Sequence, residues 1–362
     1  MSKRWSSLFP ASSRSRPKTF LNSGSDIALR KVDAVARLVA DAYRYSAFRH
    51  RACQFRGVYD DFRQAEAAAP RGKKIGYGHP DLAREYQKNL DLRLESFDYP
   101  VLFHLDRIID GCRTVFDFGG NLGVHYLRYR RYLELDEIKW IVLDLPEITT
   151  VGRETCAGLA KIAFINEVAE FKEPQADILL ASGSMQYLAS PDLLLQKMID
   201  RGRRPAHVLI NCLPLYDGPQ FVTLQNGGLV YYAQYVFNRE RYIKSIENLD
   251  YELIDSWPDT ADSCIIPFHS TRSVRAYTGL YFQTRSAAGP RRRHALAAKK
   301  APHLSAPHRR RPGHEVMMQA DLKRLHKYML EIEGIDHISD EMRAVVESEW
   351  PELAHKLPPK RG

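Results

Sequence analysis

Short apolar runs alternate with helical segments along the middle of the chain, and this alternation constrains the fold more than any other feature. The four clearest runs are Thr114-Val-Phe-Asp117, Trp140-Ile-Val-Leu-Asp144, Ala176-Asp-Ile-Leu-Leu-Ala181 and Ala206-His-Val-Leu-Ile-Asn211. Continuous apolar strands separated by helices are typical of a parallel sheet covered on both faces. The sequence therefore predicts an α/β fold with a doubly wound, mostly parallel sheet over residues 112–284.

Two further patterns complete the predicted architecture. The strands predicted at Tyr251–Trp257 and Ala276–Gln283 are joined by a loop, which indicates an antiparallel pair at the sheet edge. Between Ser25 and Arg49, apolar residues recur at three- and four-residue steps, as in an amphipathic helix, and residues 81–97 and 101–111 also have helical patterns. We therefore expect residues 25–111 to form an N-terminal helical cap over the sheet.

Positive charge concentrates at the two ends of the chain. Residues 1–24 contain no acid, and residues 285–314 contain nine Lys or Arg, four Pro and no acid. Such segments bury too little apolar surface to order themselves, so we predict a disordered leader, a basic disordered linker and a short helical tail over residues 315–362. The basic tail is predicted to contact anionic surfaces, with a simple solvated linker as the alternative.

Composition excludes several classes of protein. No run reaches the roughly 18–20 apolar residues that a membrane-spanning helix needs, so no integral membrane association is predicted. The five cysteines lie far apart, with no C-x-x-C pair, which argues against a disulfide scaffold or a zinc ribbon and favours a reducing compartment. The Arg/Ser-rich start is compatible with an organelle transit peptide but lacks a secretory apolar core, and we predict a cytoplasmic location.

The turn after the first predicted strand is the most informative local motif, Asp117-Phe-Gly-Gly-Asn-Leu-Gly123. A glycine turn between strand and helix lets backbone N–H groups approach a ligand closely. Asp144 ends the next strand, where a carboxylate can accept hydrogen bonds from ribose hydroxyls. The carboxylate of Asp117 argues against a pyrophosphate at this turn because both are anionic. The two segments together predict a nucleoside site.

The spacing Asp117-x-Gly119-x-x-x-Gly123 resembles motif I of the Rossmann-like S-adenosylmethionine (SAM) methyltransferases. Asp144-Leu-Pro146 resembles the Asp-Leu-Pro motif of small-molecule O-methyltransferases, although Asn121 stands where those proteins have a third glycine. Residues 50–284 also resemble a family of bacterial methyltransferases encoded among surface-polysaccharide genes. The segments that carry this likeness are Phe55–Phe62, Gly76–Gly78, Leu179–Leu188, Asn211–Pro219, Phe221–Asn226, Val236–Arg239 and Ile266–His269.

The resemblance implies SAM as the cofactor and assigns expected roles around it. Asp117 should brace the glycine loop, Asp144 should hold the ribose, and Leu145 should cover one face of the adenine. The remaining expected cofactor residues line the methionine end (Gly119, Gly120, Asn121, Gly123), flank the adenine edge (Glu167, Val168), or approach cofactor and acceptor (Ser182, Gly183, Ser184). An ordinary connecting loop remains the alternative at Glu167 and Val168, and a structural turn at Ser182–Ser184.

Residues for acid–base chemistry are harder to find in the sequence. His269 is the best titratable candidate, and Tyr216 and Asp217 follow the fifth strand, where an acceptor could lie. His125 starts the helix after the glycine loop and is expected either at the surface or beside the cofactor. No metal site is predicted, because no His, Asp or Glu cluster has ligand spacing.

The predicted function is SAM-dependent methylation of a small or saccharide-linked acceptor, with oxygen as the favoured methyl-accepting atom. A non-catalytic protein that binds SAM or S-adenosylhomocysteine is one alternative, because no strong base is evident. A nucleic-acid methyltransferase is another, suggested by the net charge of +9. That charge lies mainly in the ends of the chain, and the Asn/Asp-Pro-Pro-Tyr/Phe motif of base methyltransferases is absent, so a nucleic-acid partner is not expected.

Overall fold

The computed structural model describes residues 36–285. By its contacts the chain divides into two units, Ala40–Ile335 and Met1–Val39 with Asp336–Gly362, and almost all the described residues belong to the first. The predicted leader, the helical tail and nearly all of the basic linker lie outside the described residues.

Helices and strands alternate along the described chain. In chain order they are α1 (36–47), β1 (Gln54–Tyr59), α2 (Phe62–Ala67), β2 (Lys74–Ile75), α3 (Pro80–Lys88), α4 (Asp98–Ile108), β3 (Thr114–Phe118), α5 (Val124–Tyr129), β4 (Lys139–Leu143), α6 (Pro146–Thr155), β5 (Ile162–Ile165), β6 (Ile178–Ser182), α7 (Asp192–Asp200), β7 (His207–Leu213), β8 (Leu215–Tyr216), β9 (Phe221–Asn226), β10 (Val230–Asn238), α8 (Arg239–Glu247), β11 (Tyr251–Asp259) and β12 (Tyr277–Thr284). Short 3₁₀ helices lie between these elements at Ile109–Gly111, Val168–Glu170, Met185–Tyr187 and Ser270–Arg272.

The main sheet has seven strands in the order β11-β12-β7-β6-β3-β4-β5. All neighbours are parallel except that β12 runs antiparallel to both β7 and β11. The predicted fold class is therefore confirmed, including the antiparallel edge. The chain moves outward from β3 to β5 and then returns to β6 on the other side of β3. Ligands of open α/β sheets bind at such a reversal, beyond the carboxyl ends of the strands.

Both faces of this sheet are buried. Neighbouring side chains of a strand point to opposite faces, so each strand contributes residues to two cores. On β3, Val115 packs into a core that includes Leu105 of α4 and Tyr129 of α5. Phe116, the next residue, packs into a second core that includes Leu195 of α7 and Ile246 of α8. Two apolar cores on opposite faces explain why the strands have continuous apolar runs.

From residue 36 onward the N-terminal region contains helices α1, α3 and α4 where helices were predicted and, in addition, strands that were not predicted. Residues 25–35 of the first predicted helix lie outside the described residues. β1 pairs antiparallel with β9, and β9 pairs antiparallel with β10, which also pairs with β2 and β8. The helix predicted over 81–97 ends at Lys88. Within the part of the chain that is described, no helix is both long and apolar enough to cross a membrane.

Candidate cofactor site

A cavity of about 600 Å³ lies where the strand order reverses, at the carboxyl ends of β3, β4 and β6. Its walls bring together segments that are far apart in sequence. Eight predicted cofactor residues line it: Gly119, Gly120, Asn121, Asp144, Leu145, Ser182, Gly183 and Ser184. The turns after three neighbouring strands therefore meet at one cavity, and cofactor binding by these residues stays a prediction.

Asp117 is completely buried beneath the glycine loop. The indole N–H of Trp140 donates to its Oδ2 at 2.9 Å, and His125 Nδ1 lies 3.0 Å from Oδ1. A Cβ placed on Gly120 would lie only 2.4 Å from Oδ2, so the loop backbone passes directly over the carboxylate. This geometry agrees with a bracing role for Asp117, and it explains why only glycine fits at position 120.

The loop needs left-handed backbone conformations at several positions. Gly119 has φ +69° and Asn121 has φ +54°, and asparagine is one of the few side chains that tolerates this region. Gly123, at φ +83°, departs from its expected role at the methionine end. A Cβ there would lie 2.6 Å from the side chain of Ile162, and Gly123 is not among the residues that line the cavity. It instead allows close packing of α5 on the sheet.

Asp144 is held at the cavity wall by two backbone N–H groups. Its Oδ2 accepts from Asn121 at 2.9 Å and its Oδ1 from Leu145 at 2.7 Å. Burial raises the pKa of Asp144 to about 6, against the opposing effect of these two hydrogen bonds. Each carboxylate oxygen keeps a second lone pair, so the fixed carboxylate can accept the two hydroxyls of a ribose.

Two basic side chains on α5 also line the cavity. His125 is buried and its Nδ1 donates to Asp117. Burial opposes its protonation, but the carboxylates of Asp117 and Asp98 outweigh that effect and raise its pKa. Arg128 pairs with Asp98 at 3.2 Å and is only 12% exposed. His125 therefore lies beside the cavity. Arg128 was not predicted as a site residue, because the sequence does not show which face of a short helix points to the cavity.

The adenine side of the predicted site opens into a second cavity of about 550 Å³. Leu145 lines the first cavity, while Glu167 and Val168 line the second. The residues common to both are Phe118, Leu143, Asn166 and Leu188. Glu167 and Val168 are thus next to the main cavity without facing it.

A cluster of three tyrosines forms another wall, which the sequence analysis did not predict. The rings of Tyr77 and Tyr232 stack with centroids 4.3 Å apart, and Tyr187 approaches Tyr77 edge-on at 4.8 Å. Tyr77 and Tyr187 line the cavity. Burial raises the pKa of both hydroxyls well above the usual value, so they remain neutral. The cluster joins three separate segments, and no sequence spacing relates them.

The three predicted catalytic residues are not among those that line the cavity. Tyr216 is in β8, which pairs with β10, and its hydroxyl donates to the carbonyl of Pro219. The Asp217 side chain is 92% exposed and pairs with Arg239 at 3.5 Å. His269 is exposed in the loop that follows β11. The chain beyond β7 turns into the second sheet, the one formed by β1, β9, β10, β2 and β8, which carries Tyr216 and Asp217 away from the glycine loop. His269 lies in the loop between β11 and β12 of the main sheet.

Cys212 and Asp262 do line the cavity, although neither was predicted as a site residue. Cys212 is on β7 with φ +53°, and its sulfur lies 3.7 Å from the hydroxyl of Ser182. Asp262 follows β11, the strand that ends at Asp259. Cys212 and Asp262 are far apart in sequence, on β7 and after β11, so the sequence did not predict that they line the same cavity.

No protein-family model matches the chain, and no curated protein matches it. Solved structures with a similar arrangement include the Burkholderia thailandensis 1,6-didemethyltoxoflavin-N1-methyltransferase with bound 1,6-didemethyltoxoflavin and S-adenosylhomocysteine. That likeness has 16% identity and a TM-score of 0.39, and it covers 60% of this chain and 94% of the other.

Two further likenesses are of the same order. The O-methyltransferase family 2 protein from Planctomyces limnophilus in complex with apigenin is 16% identical, with a TM-score of 0.36 over 60% of this chain and 62% of that one. Mitomycin 7-O-methyltransferase is 14% identical, with a TM-score of 0.35 over 52% of this chain and 54% of that one. The present chain therefore matches little more than half the length of these two proteins.

Proposed function

We propose that this protein is a SAM-dependent methyltransferase acting on a small acceptor. The observation that carries the proposal is the joint placement of the glycine loop, with Asp117 beneath it, and Asp144 in one cavity. Asp144 presents fixed acceptor atoms for two ribose hydroxyls. The bare backbone of Gly119 and Gly120 leaves room for the rest of the nucleoside to lie against the loop.

The side chains along the cavity also suit this cofactor. His125 and Arg128 place nitrogen atoms beside the glycine loop, where the carboxylate of the methionine moiety would bind. Asp117 and Asp98, which pair with them, balance their charge. On the other side, Leu145 and Phe118 provide apolar surface for the adenine, with Glu167 and Val168 beyond them at its edge. The cofactor supplies an activated methyl group, and the protein residues bind it, orient it and exclude water.

The tyrosine cluster suggests the character of the acceptor. Aromatic rings pack against the apolar faces of ring-shaped molecules while their hydroxyls remain available for hydrogen bonds. Tyr77 and Tyr187 beside Ser184 therefore suit a small cyclic acceptor that bears hydroxyl groups. We extend the proposal to O-methylation and to saccharide-linked acceptors on the basis of the sequence resemblance. A cytoplasmic location is proposed from the five free cysteines.

Calorimetric titration with S-adenosylhomocysteine tests the proposal directly. We expect the wild-type chain to bind it, and Asp144→Ala to weaken binding by about 1–3 kcal/mol, because two ribose hydroxyls lose a charged acceptor. Asp136→Ala is the matched control, since Asp136 is exposed and outside the cavity, and it should bind like wild type. Absence of binding by the folded wild-type protein would overturn the proposal.

Cofactor binding without methyl transfer would instead favour the non-catalytic alternative. The placement of His269, Tyr216 and Asp217 away from the cavity is the specific observation behind that alternative. A screen of sugars and phenols with radiolabelled SAM distinguishes the two: transfer to any of them requires an enzyme, whereas a pure binding protein leaves the label on the cofactor.

A further inference from the structure

Three side chains form what we call the acid cluster: Cys212, Asp259 and Asp262. The Cys212 sulfur and one carboxylate oxygen from each aspartate all lie within 4.8 Å of one another. Cys212 and Asp262 also line the cavity of the proposed cofactor site. A ligand held by the acid cluster would therefore face the same space as the cofactor.

Asp259 has a buried oxygen that lacks a partner. Its side chain is only 2% exposed, and its Oδ1 accepts from the backbone N–H of Ala261 at 2.9 Å. Oδ2 has no hydrogen-bond partner among residues 36–285. Burying a carboxylate oxygen without a partner is unfavourable. The Cys212 thiol and the Asp262 carboxyl are the side chains that interact with this carboxylate, and a cation between the three side chains would satisfy the free oxygen.

The acid cluster brings two carboxylates and a sulfur atom within 4.8 Å of one another, with Cys212 and Asp259 buried. Carboxylates held this close repel each other when both are charged. A cation bound between them would offset that repulsion.

We propose that Cys212, Asp259 and Asp262 form a binding site for a divalent metal ion of the zinc type. Thiolate and carboxylate ligands together suit Zn²⁺ or Co²⁺, whereas Mg²⁺ and Ca²⁺ prefer sites made of oxygen alone. Zinc bonds of about 2.0–2.3 Å place ligand atoms closer together than 4.8 Å, so the three side chains draw inward around the ion. Three protein ligands leave a fourth position, as in catalytic zinc sites.

The role of this site rests on the proposed function. An acceptor hydroxyl at the fourth position would be acidified by the metal, much as zinc lowers the pKa of bound water to about 7. Its proton would pass to solvent as the acceptor binds, before water is excluded, and the oxygen anion would attack the sulfonium methyl group. The new O–C bond would form as the C–S bond breaks, leaving the cofactor as a neutral thioether. Cys212, Asp259 and Asp262 would thus support the deprotonation that the predicted catalytic residues are not placed to supply.

Titration of the reduced, chelator-treated full chain with Co²⁺ tests the site. We expect one equivalent to bind with a thiolate-to-cobalt charge-transfer band, and Zn²⁺ to displace it. Cys212→Ser should abolish the band, and Asp259→Asn and Asp262→Asn should each weaken Co²⁺ binding by at least about tenfold. Cys53→Ser is the matched control, because Cys53 is the exposed cysteine and lies outside the acid cluster, and its band should match wild type.

The proposal is overturned if wild-type protein shows no charge-transfer band at millimolar Co²⁺, or if the band survives in Cys212→Ser. Parallel titration of every variant with S-adenosylhomocysteine keeps the two proposals separate. Metal binding without nucleoside binding would support the metal site and contradict its role in methyl transfer. Nucleoside binding without metal binding would overturn the metal site and leave the proposed function unaffected.

Discussion

The glycine loop and the acid cluster line the same cavity, but they satisfy their buried carboxylates in opposite ways. Asp117, under the loop, receives hydrogen bonds from His125 and Trp140 and braces the backbone above it. Asp259, in the acid cluster, is buried almost as completely, yet one of its oxygens has no hydrogen-bond partner among the described residues. The first region is satisfied by neighbouring side chains, whereas in the second the metal ion that we propose would satisfy the free oxygen.

We expect the largest change in stability when the same substitution, Asp to Asn, is made in each of the two regions. Asp117→Asn removes a charge that balances His125, and breaking a buried pair of this kind costs about 3–5 kcal/mol. Asp259→Asn, measured without metal, should instead raise the free energy of unfolding by about 1 kcal/mol, since it removes a buried charge with an unpaired oxygen. Chemical denaturation in the presence of a chelator measures both.

Opposite signs for these two variants would support the contrast, while a loss of stability at Asp259 as large as that at Asp117 would contradict it. Asp136→Asn serves as the surface control, with a change within about 0.5 kcal/mol, because Asp136 is exposed.

A second prediction concerns the close approach between the loop and its brace. In Gly120→Ala the added methyl group would lie 2.4 Å from Asp117 Oδ2, so the loop must move away from Asp117 and change the shape of the cavity. We expect a destabilisation of about 1–3 kcal/mol, together with loss of detectable S-adenosylhomocysteine binding. Thermal unfolding and calorimetry measure the two effects.

Gly111→Ala is the matched control, because no atom lies within 4 Å of a Cβ at Gly111. Its stability and nucleoside binding should both stay close to wild type. Binding by Gly120→Ala at wild-type affinity would show that the loop is not as tightly braced as its geometry indicates.

The smallest expected effect concerns pH. Asp144 has a pKa of about 6 in the free protein, and the ribose hydroxyls need its ionised form. Below that pH the ligand must displace a proton, so affinity for S-adenosylhomocysteine should fall about tenfold between pH 7 and pH 5. His125 acts in the opposite direction, because its protonated form attracts the ligand carboxylate.

Calorimetry across this pH range with Asp144→Asn separates the two groups. That variant should bind more weakly at pH 7 but should not lose further affinity below pH 6. A wild-type affinity that rises steadily toward acid pH would mean that His125, and not Asp144, dominates recognition.

The sequence was most informative where chemistry depends on neighbouring residues along the chain. Strands β3 and β4, the glycine turn and Asp144 were all predicted, because strand, turn and acid lie within about thirty residues and follow local rules. The left-handed conformation of Asn121 also agrees with what its residue type tolerates. The expected place of Gly123 differed, since whether a glycine faces a ligand or a packed side chain depends on the layer behind it.

The parts that the sequence did not reveal depend on contacts between distant segments. The tyrosine cluster joins the N-terminal region to β10 and to the 3₁₀ helix at Met185–Tyr187. The acid cluster joins β7 to the end of β11. β9 and β10 were missed because their polar and aromatic residues obscure the alternation of a strand, and their pairing with β1 is invisible in local patterns.

The pairing of β1 with β9 also has a consequence for how the protein is made. Gln54 pairs with Asn226 across this ladder, so β1 cannot pair with β9 until the ribosome has synthesised most of the domain. Contacts between such distant positions form slowly, because a long loop must close first. The glycine turn forms from contacts that are local in sequence, whereas the tyrosine wall needs Tyr77, Tyr187 and Tyr232 together, and the cavity is complete only when Asp262 has also been synthesised.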